Sequence, residues 1–337
     1  MNFFFCSRVN NRRVDHGTIL HDGRNPLAGD AVGYALSHIC VSRKFVASPS
    51  ATGNGRTHSV TESDMENLEE QTMKRMKKLA TQNPIVFGLI IFLGLFLTVI
   101  ISALFANQWP TESPGWYVTA TAVRVVSIII LLALLSGLGW LREAGFLRLG
   151  RPQTWLLIIL PLTYAIVVTA YAMTGNLDFS ISESGLRVTV ALFIITAAFL
   201  EEIAFRGLIL HAFVRVWGET KRSLVKAVLV AALFFGAYHL INILGGSPLP
   251  EVLLQSAANV FMGIFLGGLL LYGRSLYPVV FFHACWNMAG YLNLTGSPAW
   301  GSSTSWLMLT VLYVPLAVFG LYLLRDVRQC SLELETA

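Results

Sequence analysis

The stretch Ala197-Ala198-Phe199-Leu200-Glu201-Glu202-Ile203-Ala204-Phe205-Arg206-Gly207 sets two adjacent carboxylates and an arginine inside an otherwise apolar run. A charge at bilayer depth costs about 2.5–3.5 kcal/mol even on the gentlest insertion scale, so such residues are rare, usually paired, and mark a functional site by default. Arg206 follows Glu202 by four residues, close enough for the side chains to meet on one helical face. Glu201 then points about 100° away and is available for another task. The bland alternative is an ion cluster of two acids and one base that locks helices together.

The surrounding chain has the composition of a membrane protein. Its 337 residues are 55% hydrophobic and 13% charged, with a mean hydropathy of +0.62, too apolar for an ordinary soluble domain. Apolar runs of about 20 residues recur, each long enough to cross a hydrocarbon core about 30 Å thick as a helix. The expected fold is an all-α polytopic membrane bundle of eight transmembrane helices, at about 85–106, 117–140, 153–173, 186–206, 224–244, 251–272, 277–293 and 305–324. Asn83-Pro84, Pro250-Glu251 and Pro278 stand where helix starts favour a cap, a proline or an acid. The net charge of +5 reflects basic loops, since no basic stripe with interleaved aromatics suggests nucleic-acid binding. Four cysteines without CxxC spacing support neither a disulfide framework nor a zinc knuckle.

Lysine and arginine alternate with the loops. The 74–78 cluster, Arg142/Arg148/Arg151, Arg215/Lys221/Arg222/Lys226, Arg274 and Arg325/Arg328 are basic, whereas 107–116, 174–185, 245–250 and 294–304 contain no lysine or arginine. The positive-inside rule then expects both termini to be cytoplasmic, in the plasma membrane if the source is prokaryotic. Seven tryptophans (109, 116, 140, 155, 217, 300 and 306) fall near expected span ends, as an interfacial belt requires, with Trp286 the exception.

The flanking segments differ from the body. Residues 1–64 are mixed in composition and lack a sustained hydrophobic period, and read as disorder or an over-extended gene start, with a regulatory tail as the alternative. Met65 or Met73 makes a natural start. Residues 65–83 form an amphipathic juxtamembrane segment, 84–325 the membrane domain, and 326–337 a cytoplasmic tail.

Beyond the Glu pair, two further elements carry polar side chains in apolar surroundings. Phe234-Phe235-Gly236-Ala237-Tyr238-His239 puts Phe235 and His239 on one face, and Phe282-His283-Ala284-Cys285-Trp286-Asn287 does the same for His283 and Asn287. Taken singly, each is weak: a lone buried histidine is more often hydrogen-bonded to a neighbouring helix, and asparagine is common helix–helix glue. The three elements in order, EExxxR, FxxxH and HxxxN, each on its own span, resemble the CAAX protease and bacteriocin-processing family of intramembrane endopeptidases, which includes the Ras-converting CAAX endopeptidase. The resemblance covers about residues 185–295, with matches at Glu201, Glu202, Arg206, Phe235, His239, His283 and Asn287.

That resemblance implies an endopeptidase acting on a membrane-associated or prenylated, CAAX-like peptide without a cofactor. Glu201 would take a proton from water, His239 would orient that water, His283 and Asn287 would form the oxyanion hole, and Arg206 would hold Glu202. A carboxylate partly desolvated in the membrane suits a general base. The alternative mechanism is a zinc metalloprotease with Glu201, His239 and His283 as ligands, although no HExxH helix is present. Rival functions are a non-enzymatic immunity or scaffold protein of the same fold and a proton-coupled transporter using the Glu pair as relay. The expected partners are a peptide or protein substrate and the bilayer, with no nucleic acid.

Four features stay apart from this scheme. A rise of 1.5 Å per residue puts Glu201 about 21 Å from the outer end of its span and so in the cytoplasmic half, yet places His239 about 10 Å deeper than expected. Either the fifth span starts later, or it tilts, or the helix around 207–223 extends the bundle. Arg124 lies about 11 Å inside the second span and is expected to snorkel or pair with an acid. His211 and Trp217 read as ordinary interfacial residues. Gly263-x-x-x-Gly267, followed by Gly268, gives the sixth span a smooth face for internal packing.

Overall fold

The computed structural model describes residues 62–172, 184–292, 306–307 and 309–327. The expectations for most of the N-terminal extension, for the loops at 174–185 and 294–304, for Trp300 and for most of the C-terminal tail lie outside the described residues. Contacts assign Glu66–Ala337 to one unit and Ser7–Met65 to another; the account below concerns the first.

Every regular element among the described residues is helical. In order they are α1 (Glu62–Gln82), α2 (Pro84–Ala106), α3 (Pro114–Gly137), α4 (Pro152–Ala172), α5 (Ser184–Glu202), a π-helical segment (Ile203–Leu210), α6 (His211–Trp217), α7 (Lys221–Tyr238), a 3₁₀ turn (His239–Ile243), α8 (Leu249–Gly273) and α9 (Leu276–Leu292). A second π turn (Leu309–Tyr313), α10 (Val314–Leu323) and a closing 3₁₀ turn (Leu324–Asp326) follow. Prolines occupy the first turns of α2, α3, α8 and α10, where the missing N–H costs nothing. Thr220 and Ser223 form a reciprocal capping box that starts α7.

Six helical segments are long and apolar enough to cross a membrane: Pro84–Ala106, Pro114–Gly137, Val188–Trp217, Lys221–Ile243, Leu249–Gly273 and Leu309–Asp326. The protein is an integral, multi-pass helical bundle. Of the eight expected spans, the third and seventh correspond to α4 and α9, which are outside these six, and α9 has only 17 residues.

The largest boundary correction bears on the site. The span drawn at 186–206 does not end at Arg206, because helix continues through the π segment and α6 to Trp217. Arg206 looks like a charged terminus in sequence but is itself buried, and the apolar residues after it keep the helix in the core. Glu201 is the fourteenth of the 30 residues Val188–Trp217, close to the middle. Of the explanations for the depth of His239, a later start fails, since α7 begins at Lys221, and the helix does extend beyond 207.

Trp140, expected at an interface, lies just past α3 in the core, edge-on to Phe87 and to His211. The glycines of α8 pack internally. A methyl group on Gly263 would come within 2.9 Å of Ala232 on α7, and one on Gly268 would run into the backbone of Gly320 on α10. Close backbone approach of this kind is what small residues allow in membrane helices.

Candidate active site

The Glu pair stands at the last α-helical turn before the π segment, whose residues are all buried. π turns inside helices are frequent at functional sites. Glu202 is wholly buried and is bonded from two sides: Arg206 Nη1 donates to its Oε1 at 2.9 Å, and His283 Nδ1 lies 2.6 Å from the same oxygen. His283 Nε2 faces Glu201 Oε2 at 3.7 Å. The helix carrying the carboxylates and α9, carrying His283, thus meet through one oxygen.

His239 reaches the site by a different local device. α7 ends at Tyr238, and the chain tightens into a 3₁₀ turn, so the His239 backbone N–H bonds to carbonyls nearer than four residues back. The Phe235 carbonyl left over accepts from His239 Nδ1 at 2.9 Å. A carbonyl can only accept, so Nδ1 carries the proton and Nε2 of the neutral ring is an acceptor. Asn242 Nδ2, on the same turn, donates to Gln255 Oε1 of α8 at 2.8 Å and anchors it.

Phe235 is the hub. Its ring centroid lies 5.1 Å from that of His239 and 5.7 Å from that of His283, edge-on to both, while the Arg206 guanidinium lies 4.2 Å from it. Phe205, from the π segment, packs edge-on against it at 5.1 Å. One aromatic face therefore sets the spacing of three polar groups from three helical segments. Asn287 lies one turn beyond His283 on α9 and is partly buried.

Of the six expected site residues, Glu202, Arg206 and His283 form a contiguous bonded cluster with Glu201 beside it. His239 joins through Phe235, and Asn287 stands at the cluster's edge. For the alternative zinc reading, no three His, Cys, Asp or Glu side chains among the described residues converge closely enough to hold a metal ion. Glu201, His239 and His283 are not gathered as a ligand set.

A cavity of about 260 Å³ runs from Glu201 to the loop residues Asn107, Thr111 and Gly245. These loops join the helix ends opposite the basic segments at 142–151 and 215–226. The innermost lining residues are Thr98 of α2, Arg124 of α3, Glu201 and Tyr238. Arg124 neither snorkels nor meets an acid within ion-pair distance among the described residues. It is 4% exposed, donates from Nη1 to the Phe193 carbonyl at 2.9 Å, and sits 3.6 Å over the Phe193 ring. Its only sequence signal was a lone charge in an apolar span.

A second group went unrecognised in the sequence. His211 is buried rather than interfacial, and its Nε2 lies 3.0 Å from Glu143 Oε2, which also accepts from Arg215 Nη1. Glu143 belongs to the loop after α3. The same loop bonds the start of α9, through Leu276 N to the Gly145 carbonyl and Tyr277 Oη to the Phe146 carbonyl. It therefore ties the far end of the Glu-bearing helix to the helix that carries His283. The hydrogen bond from His211, aided by the nearby Arg215, holds the Glu143 carboxyl down at about 2.

An all-helical membrane bundle with a buried carboxylate pair bonded to an arginine and a histidine from another helix defines a polytopic membrane protein with a buried polar core. Residues 183–289 match the family model described as type II CAAX prenyl endopeptidase, Rce1-like. Through this segment, less than half of its length, the chain is similar to the CAAX proteases, a family of endopeptidases. No curated protein and no solved structure matches the chain.

Proposed function

We propose that this protein is an intramembrane endopeptidase that hydrolyses a peptide bond of a membrane-associated or prenylated, CAAX-like peptide, using water activated by Glu201. The observation that carries the reading is the convergence of Glu201, Glu202, Arg206 and His283 within an apolar bundle, with Glu201 lining a cavity. Peptide entering that cavity meets Glu201 first, because Glu202 is shielded behind it by Arg206 and His283.

In the proposed reaction, Glu201 removes a proton from water as the water oxygen attacks the scissile carbonyl carbon. His239 Nε2, left as an acceptor by the Phe235 carbonyl, takes a hydrogen bond from the same water and sets its direction. The carbonyl oxygen becomes an oxyanion that accepts from His283 Nε2 and from the Asn287 amide, a role worth about 3–4 kcal/mol per donor. Donation from Nε2 requires the doubly protonated ring, since Nδ1 is committed to Glu202. The C–N bond then breaks, and the departing nitrogen takes the proton held by Glu201, which restores the carboxylate. Arg206 and Glu202 move no proton; they fix the imidazole. No step passes through zinc.

The test uses the purified full chain in lipid nanodiscs with an internally quenched peptide carrying an S-farnesylated cysteine four residues from its C-terminus. Glu201→Gln is expected to lower kcat by about 10²–10⁴-fold, the range for a general base. A variant that cleaves at the wild-type rate sinks the mechanism. Activity that vanishes in chelator and returns with zinc would overturn its metal-free form.

A further inference from the structure

The two ends of the bundle differ in charge, and the cavity reaches one of them. Contacts gather the basic segments at a single end. Glu143, in the loop that carries Arg142 and Arg148, bonds Arg215 of α6. Gly145 and Phe146 of that loop bond Leu276 and Tyr277, just after Arg274. Lys221 Nζ donates to the Arg325 carbonyl. α1, with Lys74, Arg75, Lys77 and Lys78, joins the same end, because a methyl group on Gly137 would come within 2.7 Å of the Met73 sulfur. At the other end, the described loop residues 107–113 and 244–248 contain no lysine or arginine. The cavity comes out there, between Asn107, Thr111 and Gly245.

One wall of the cavity is built for a polar occupant. The 23 residues of α2 include two hydroxyl side chains, Thr98 and Ser102, and no other polar one. Both line the cavity, one turn apart, and Asn107 and Thr111 continue the strip to the mouth. Thr98 is committed, since its Oγ1 meets Ser127 Oγ at 3.0 Å and the Gly94 carbonyl at 3.1 Å. Ser102 is 9% exposed, and its Oγ is buried without a hydrogen-bond partner among the described residues. A buried hydroxyl left unpaired is costly. One that faces a cavity is satisfied when water or a peptide group fills the space. Hydrolysis at Glu201 consumes one water for each bond broken, and the apolar bundle must admit it by some such strip.

We propose that the site is reached from the extracytoplasmic side of the membrane along the α2 wall, and that its substrate is a peptide presented at that surface. The basic end is the cytoplasmic one by the positive-inside rule, and the mouth lies opposite. Water for the reaction enters by the same route. The inference takes its substrate from the endopeptidase reading and narrows it to membrane-associated peptides of the outer leaflet. The direction of access stands without that reading.

The test places single cysteines by Thr111→Cys, Ser102→Cys and Arg222→Cys in a full chain whose Cys6, Cys40, Cys285 and Cys330 are replaced by serine. Spheroplasts and inside-out vesicles of a bacterial host are treated with a membrane-impermeant methanethiosulfonate. Thiol left unreacted is then read by gel shift with a polymer-linked maleimide. Thr111→Cys and Ser102→Cys are expected to react at least tenfold faster in spheroplasts, and Arg222→Cys at least tenfold faster in inside-out vesicles. Ser102→Cys that reacts from the Arg222 side overturns the proposal. So does Ser102→Cys that reacts from neither side, which would mean a cavity closed or open only sideways to lipid. Wild type gives a second reading without substitutions. The quenched farnesylated peptide, fitted with a sulfonated dye that keeps it in the leaflet to which it is added, should be cleaved at least tenfold faster by spheroplasts than by inside-out vesicles, with Glu201→Gln as background. The reverse preference overturns the proposal. Labelling as expected with cleavage on neither side supports the access route and removes the protease reading.

Discussion

The same arrangement of three side chains occurs twice along one continuous helical segment. Near its middle, Glu202 is bonded by Arg206 and by His283 of α9; near its end, His211 and Arg215 both bond Glu143 of the loop after α3. The chemistry is alike, and the surroundings are opposite. The Glu202 side chain has no exposure, with 3% for each partner, whereas Glu143 keeps 26% and Arg215 28%. Burial strengthens each hydrogen bond but makes any unpaired charge expensive, so the inner set must stay complete. The outer set can borrow from water. What separates the inner set from the clasp is burial, together with a cavity that reaches Glu201 beside the inner set and does not reach Glu143.

That contrast is broken most sharply at Arg206. Arg206→Met keeps most of the volume but leaves Glu202 buried with only His283 beside it. Loss of one partner of a buried pair costs about 3–5 kcal/mol, and the expected result is a large fall in Tm together with loss of cleavage. A variant with wild-type Tm and activity would show that the inner ion pair does not hold the site. Phe235→Leu comes next. It removes the ring shared by Arg206, His239 and His283 at modest change in volume, so the expected stability loss is about 1–2 kcal/mol. Cleavage should fall by about tenfold or more through kcat, because misplacement of aligned groups acts on the chemical step. A kcat within twofold of wild type would mean that the hydrogen bonds of His239 to the Phe235 carbonyl and of His283 to Glu202 position the two rings without the shared aromatic face.

Much of this inner set was legible in the sequence, and the reason is periodicity. Glu202 and Arg206, Phe235 and His239, and His283 and Asn287 are each spaced by four, and an uncharged background makes them stand out. The link between them was not legible, because spacing within a helix says nothing about which helix it faces. The bond from His283 to Glu202 and the shared ring of Phe235 depend on packing of α5, α7 and α9. The π segment was invisible for a related reason: its residues are as apolar as any α-helix, and Arg206 looked like an end. The outer set was missed because Glu143 and His211 are 68 residues apart, with α4, α5 and the π segment between them, and each alone looks like ordinary surface chemistry.

The smallest effect expected is at that outer set, and pH gives it a definite sign. Glu143 is held near 2, mainly by the hydrogen bond from His211 and then by Arg215, against an ordinary value of 4.5. Above pH 4.5 the carboxyl is ionised in both folded and unfolded chains, and the full stabilisation is present. As pH falls from 4.5 toward 2, the unfolded chain takes up the proton first, so stability is lost across that window. With a quarter of the side chain in water, the contribution is on the order of 1 kcal/mol, as for a favourable partly exposed pair. Glu143→Gln should therefore lower Tm slightly at pH 6, and the gap from wild type should begin to narrow below pH 4.5, be roughly halved by pH 3 and close near pH 2. Cleavage at pH 6 should change little, since the loop still bonds α9 through Gly145 and Phe146. A gap in Tm that stays constant from pH 6 to 3 would mean that Glu143 acts through packing and not through its charge. A large loss of cleavage with Tm intact would show that the two sets work as one, with the clasp transmitting position along the helix to Glu202.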